Sequence, residues 1–241
     1  MVSQRNQTRN ICKHGVLIVA LPDLQAPPGQ VTIEKTGYSG NGCPQGSVST
    51  LLSPDKSVVT FGFDSFQATI GPNSNPNEKQ KNCQLHLGLR YPQGFQVSVM
   101  SATYHGYVRL DPGVSGNFIS SYYFSQDAGR TVSYSYIPTL YTLYIYANAK
   151  CQAMTRTTLS GPAYVNGQTY TKQDNIETAS MVWSPCGANG LLNINNRIAL
   201  TSNNRQSAGE MSNDDATIKF EQKLRIQWRR CPGYVKFAQR S

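Results

Sequence analysis

QLHLGLRYPQGFQVSVMSATYHGYVRL, residues 84–110, decides how the rest of the chain is read. Its first eight residues alternate, with Leu85, Leu87 and Leu89 on one side and polar residues between them. A period of two places every second side chain on one face of a strand, so this is a strand with one face in a core. Pro92-Gln93-Gly94 reads as a turn, because proline presets φ and glycine tolerates reversal. FQVSVMSATYHGYVRL then carries the same period on to Leu110.

Strand patterns continue on either side. QVTIEK (30–35) alternates, and SVVTFGF (57–63) follows the turn Ser53-Pro54-Asp55-Lys56. The break Asp111-Pro112-Gly113 leads into NFISSYYFS (117–125). LLNINNRIALT (191–201) points Leu192 and Ile194 inward, with Ile198 joining them only after a shift of register. TIKFEQKLRIQW (217–228) reads as a strand because β-branched and aromatic residues favour one, with a helix over 217–226 as the competing reading. Frequent turn signals and no convincing helical period predict an all-β chain: a single antiparallel β-sandwich, jelly-roll-like or Greek-key.

Composition narrows the class. Of 241 residues only 15% are charged, which fits a β-rich extracellular protein better than a helical cytosolic enzyme. No apolar run reaches the roughly 18 residues that span a bilayer. VLIVAL (16–21) is shorter than the h-region of a signal peptide, about 7–15 residues.

Five landmarks are familiar together: VTIEKTGYSGNGCPQGSVS (31–49), NCQLHLGLRYPQGFQVSV (82–99), YHGYVRLDPGVSG (104–116), VWSPCGANGLLNIN (182–195) and LRIQWRRC (224–231). In this order, over about residues 26–231, they resemble the secreted fungal and bacterial family known as domain of unknown function 4360. The resemblance implies an exported β-rich domain with two disulfides and no assigned activity. It supplies no catalytic residue.

Against that pattern, TVSYSYIPTLYTLYIYANAKCQ (131–152) is foreign, with five tyrosines and no acidic residue. Residues 132–152 are expected to be a translated intron. Val132-Ser133 can be encoded by a 5′ splice signal, Ala147-Asn148 by a branch sequence and Cys151-Gln152 by a CAG acceptor. The competing reading is a native hairpin. Residues 1–25 lack the landmarks, and 232–241 run past them. A signal peptide is expected in the native protein, which places it outside the cell. Setting these segments aside, residues 26–131 and 153–231 hold 16 Lys+Arg and 12 Asp+Glu, a net +4 against +9 for the whole chain. Most of the basic excess is therefore outside the domain, and no nucleic-acid partner is expected. The local basic cluster Lys223, Arg225, Arg229 and Arg230 reads as a solvated strand face.

Without Cys12 and Cys151, four cysteines remain, and four allow three connectivities. Pairing within each half, Cys43–Cys83 and Cys186–Cys231, is the favoured one. No CxxC and no nearby histidine suggests a metal.

Catalytic signals are poor. His86 and His105 lie in strands, no GxSxG occurs, and no catalytic residue or cofactor is assigned. A polysaccharide hydrolase would need paired carboxylates, for which Asp64, Asp111, Asp174 and Glu177 are the candidates. Asn213-Asp214-Asp215 reads as a turn rather than a calcium loop. Glycan or cell-wall binding has better material. Tyr104, Tyr107, Tyr122 and Trp183 lead the candidates for stacking on sugar rings, with Tyr123, Tyr164 and Tyr170 behind them. A monomer is expected.

Overall fold

The computed structural model describes residues 7–10, 32–54, 58–125, 152–176, 181–212 and 220–231. Among the described residues, twelve strands form one hydrogen-bonded antiparallel sheet. They are β1 (Gln7–Asn10), β2 (Thr32–Ser39), β3 (Val48–Leu52), β4 (Val58–Phe63), β5 (Ala68–Ile70), β6 (Gln80–Leu110), β7 (Val114–Ser125), β8 (Ala153–Ser160), β9 (Gln168–Asn175), β10 (Gly187–Ser202), β11 (Gly209–Ser212) and β12 (Phe220–Arg230). β12 is a strand throughout, so the helical alternative for 217–226 falls over its described residues. β1, from the segment without landmarks, pairs with β8.

The sheet folds over on β6, which is 31 residues long. Its first half lies between β10 and β2, beyond which come β7, β8 and β1. Its second half pairs with β12 and then β11 on one edge and with β9 on the other. The two halves thus belong to two layers that meet face to face. Tyr104 of the second layer stacks edge-on against Phe118 of the first, with ring centroids 4.7 Å apart. Between the layers lie Leu85, Leu87, Leu89, Phe61, Phe63, Phe66, Ile194 and Ile198, all nearly inaccessible to solvent. Burying one such side chain contributes about 1.5–3 kcal/mol relative to leaving it exposed.

Two expectations for β6 are corrected. Pro92-Gln93-Gly94 is not a turn, because the strand runs through it. Gly94 has φ of 86°, a bend that a residue with a β-carbon adopts at a cost. Pairing on both edges prevents reversal: Phe95 faces Gly187 on one side and Arg230 on the other. The alternation also fails to continue unbroken. Val97 and Val99 point inward, and so do Ala102, Tyr104, Val108 and Leu110, which lie on the opposite parity. A register shift opposite Arg225/Ile226 absorbs the extra residue, as a β-bulge does. The shift expected in β10 is absent: Leu192, Ile194, Asn196, Ile198 and Leu200 are all buried.

Residues 168–176 and 181–199 lie antiparallel along one edge of β6. Gln168 faces Val108, Asn175 faces Ser101, Trp183 bridges Ser98, and Ala199 faces Gln80. Both segments pass from layer to layer here, at Trp183–Gly187 and at Phe95–Val99. Cys43 is joined to Cys83 with Cα atoms 5.3 Å apart, and Cys186 to Cys231 at 5.8 Å. The second bond staples the crossing, where Cys231 N also donates to Gly94 O at 2.7 Å.

Candidate functional site

The alternation that sends leucines inward sends polar side chains outward. On the outer side of the first layer, β6 places Gln84 and His86, β10 places Asn195 and the buried Asn193, and β7 places Tyr123 and Ser125. Register places His86 opposite Asn193 and Asn193 opposite Tyr123. The side chains interlock across three strands. His86 Nδ1 lies 2.6 Å from Asn193 Oδ1, Asn193 Nδ2 donates to Ser125 Oγ at 2.7 Å, and Gln84 Nε2 donates to Tyr123 Oη at 3.2 Å. His86 and Tyr123 are half-buried and Asn195 is exposed. The bonds hold one side of each group and leave the imidazole Nε2, the tyrosine O–H and the Asn195 amide without a partner among the described residues. This face can offer hydrogen bonds and one aromatic ring to a flat polar ligand.

A second polar group forms at the crossing. Arg229 lies with its guanidinium 3.9 Å from the centre of the Trp183 ring. Its Nε donates to Gln96 Oε1 at 3.1 Å, and Gln96 Nε2 donates to Ser184 O at 2.6 Å. Ser184 Oγ accepts from Val97 N and from Tyr91 Oη, which is 2.8 Å away. Burial lowers the Arg229 pKa from its usual value, and it raises that of Tyr91.

The sequence candidates divide differently. Tyr104 and Tyr122 are core residues, with exposures of 0% and 2%, so neither can stack on a sugar. Their hydroxyls bond each other, Asn196 Oδ1 lies 3.2 Å from Tyr104 Oη, and Asp174 Oδ2 lies 3.1 Å from Tyr122 Oη, the two phenol protons being shared over this network. Burial raises both phenol pKa values well above normal, helped by the Asp174 charge at Tyr104 and by Tyr104 and then Asp174 at Tyr122. Tyr164 and Tyr170 are buried as well. Tyr107 is half-buried with its hydroxyl over Gly167, where any β-carbon would collide with it. Trp183 alone of the four leading candidates combines partial exposure with a polar neighbour on its ring.

Of the candidate carboxylates, Asp174 and Asp111 are engaged within the fold. Asp174 is fully buried and paired with Lys172, equally buried, which also donates to Thr155 Oγ1 at 3.0 Å and Ser120 Oγ at 3.3 Å. Lys172 Nζ sits 4.4 Å above the Tyr104 ring. Burial pulls the Lys172 pKa down to about 8, and Asp174 partly restores it. Asp174 Oδ1 has no hydrogen-bond partner among the described residues. Asp111 Oδ2 accepts from Ala208 N at 2.8 Å, a turn-fixing role, and Asp64 is exposed. Glu177, Asn213-Asp214-Asp215, the 132–151 part of the tyrosine run and the 232–241 tail lie outside the described residues. No cluster of three or more His, Cys, Asp or Glu able to hold a metal occurs among the described residues.

Nothing in the distribution of tyrosines singles out the outer-face row. Its signal was present in the polar members of QLHLGLR and LLNINNR, read as the exposed side of the same alternation.

Known proteins give a consistent setting. The chain is 42% identical over 204 residues to an uncharacterized secreted protein of Arthroderma benhamiae, covering 85% of this chain and 73% of that protein. A solved structure of TmCBM61 in complex with beta-1,4-galactotriose matches 83% of this chain and 90% of its own. At 10% identity and a TM-score of 0.21, that match carries no argument about this molecule. The model of domain of unknown function 4360 matches residues 29–231. With most of the chain inside that match and a secreted relative at this identity, the protein belongs to the domain of unknown function 4360 family.

Proposed function

We propose that this protein is an extracellular, non-catalytic β-sandwich that binds polysaccharide, such as a cell-wall glycan, on the outer face of its first layer. The observation that carries this reading is the row of Gln84, His86 and Tyr123, fixed by their own bonds and by the buried Asn193 beneath His86. Sugars present hydroxyls at regular spacing around an apolar ring face. Fixed amide, imidazole and phenol groups meet both features without losing much side-chain freedom. Export is supported by the secreted relative and by two disulfides, which persist in oxidising compartments.

A glycan array with the secreted protein tests the reading. Retention of a defined glycan class is expected, with affinity falling about tenfold in Tyr123→Ala, the loss typical of one stacked aromatic contact. Absence of binding to every glycan, or binding untouched by Tyr123→Ala and Asn195→Ala, would sink it.

A further inference from the structure

The basic residues at the end of β12 are more than a solvated strand face. Arg229 pairs with no carboxylate among the described residues; its face is set on Trp183 and its Nε is held by Gln96. This leaves the terminal nitrogens of a guanidinium fixed in orientation and turned to no acid. The neighbouring Arg230 is exposed, and the Trp183 ring is half-buried. Ser184 and Cys186 lock the backbone of this corner on one side, and Gln96 and Cys231 on the other. A planar cation held by stacking and one hydrogen bond has already lost the freedom that a flexible arginine would lose on binding.

We propose that Trp183 and Arg229 form a carboxylate subsite that takes a uronic-acid residue of an anionic polysaccharide. This deepens the glycan reading above and rests on it. The two terminal nitrogens match the two oxygens of a carboxylate, and the tryptophan beside them offers an apolar surface to the sugar that bears it. The net +4 of the domain favours such a partner.

The test compares polygalacturonate with its fully methyl-esterified form, which has the same backbone and no charge. Calorimetry on the full chain should give binding to the acid that is at least about tenfold tighter than to the ester, since a charge-assisted bidentate pair is lost with the ester. Arg229→Lys should erase that preference, because lysine keeps the charge but not the fork, whereas Arg230→Lys should leave it in place. The acid–ester comparison needs no variant, so it decides even if Arg229→Lys does not fold. Equal binding of acid and ester overturns the subsite, as does equal affinity for dextran sulfate that vanishes in high salt. If neutral glycans still bind through Tyr123 in those cases, the parent reading survives. Binding to no glycan at all removes both.

Discussion

Lys172 and Asp174 form a fully buried ion pair, and its consequences are calculable. Removing one partner strands the other charge, so Asp174→Ala should cost about 3–5 kcal/mol, measured by urea unfolding. Replacing both, as Lys172→Met with Asp174→Leu, should restore stability to within about 1 kcal/mol of wild type or exceed it. The pair also predicts a pH dependence. The folded-state pKa of Lys172 is about 8, against 10.5 when unfolded. Between those values the unfolded chain binds more protons, so this group makes stability rise with pH through the window. Wild type measured against the double variant should therefore gain stability from about pH 8 to 10; a flat difference would refute the shift. Tyr104 and Tyr122 act oppositely above pH 10, where the unfolded phenols ionise and the buried ones do not. Because both hydroxyls serve the core, Tyr104→Phe and Tyr122→Phe should each cost about 1–2 kcal/mol and leave glycan affinity unchanged. Nothing in the local pattern could have distinguished these tyrosines from a binding row, since alternation gives a side chain its face but not which face meets the second layer.

Among the elements, β6 departs furthest from its sequence reading. Gly94 takes a φ of 86° in mid-strand. Gly94→Ala should lower stability by about 1–2 kcal/mol in denaturant unfolding, the cost of a β-carbon in the left-handed region. The β7–β8 pair makes a second prediction. Tyr122 faces Ala153 and Ser115 faces Ser160, so the two strands are adjacent antiparallel neighbours. Deleting 132–152 would leave residues 126–131 between them, about the length of an ordinary connection. The deletion variant should keep the β-sheet circular-dichroism spectrum and gain soluble yield, because a tyrosine-rich stretch of high β-propensity with a single charge, Lys150, is removed. Loss of folding on deletion would make the segment native.

At the scale of the molecule, the Cys43–Cys83 and Cys186–Cys231 bonds span sequence separations of 40 and 45. Each restricts the unfolded chain by about 4 kcal/mol in the chain-entropy account. Replacing Cys186 and Cys231 by alanine should lower the denaturant midpoint accordingly and loosen the Trp183–Arg229 corner with it. What the sequence determined by itself was the strongly alternating strands, the fold class and the family. Alternation, turn residues and landmark order are local or linear properties, and they survive in one dimension. The leucines of 85–89 pointed inward because period two left them no other arrangement. Tertiary structure alone decided that Pro92–Gly94 bends instead of turning, since strands distant in sequence grip Phe95 from both edges. It also decided that Lys172 and Asp174 lie between the layers and that Trp183 meets Arg229. Such juxtapositions depend on which sheet face closes on which, a choice settled by the whole core and recorded at no single position in the chain.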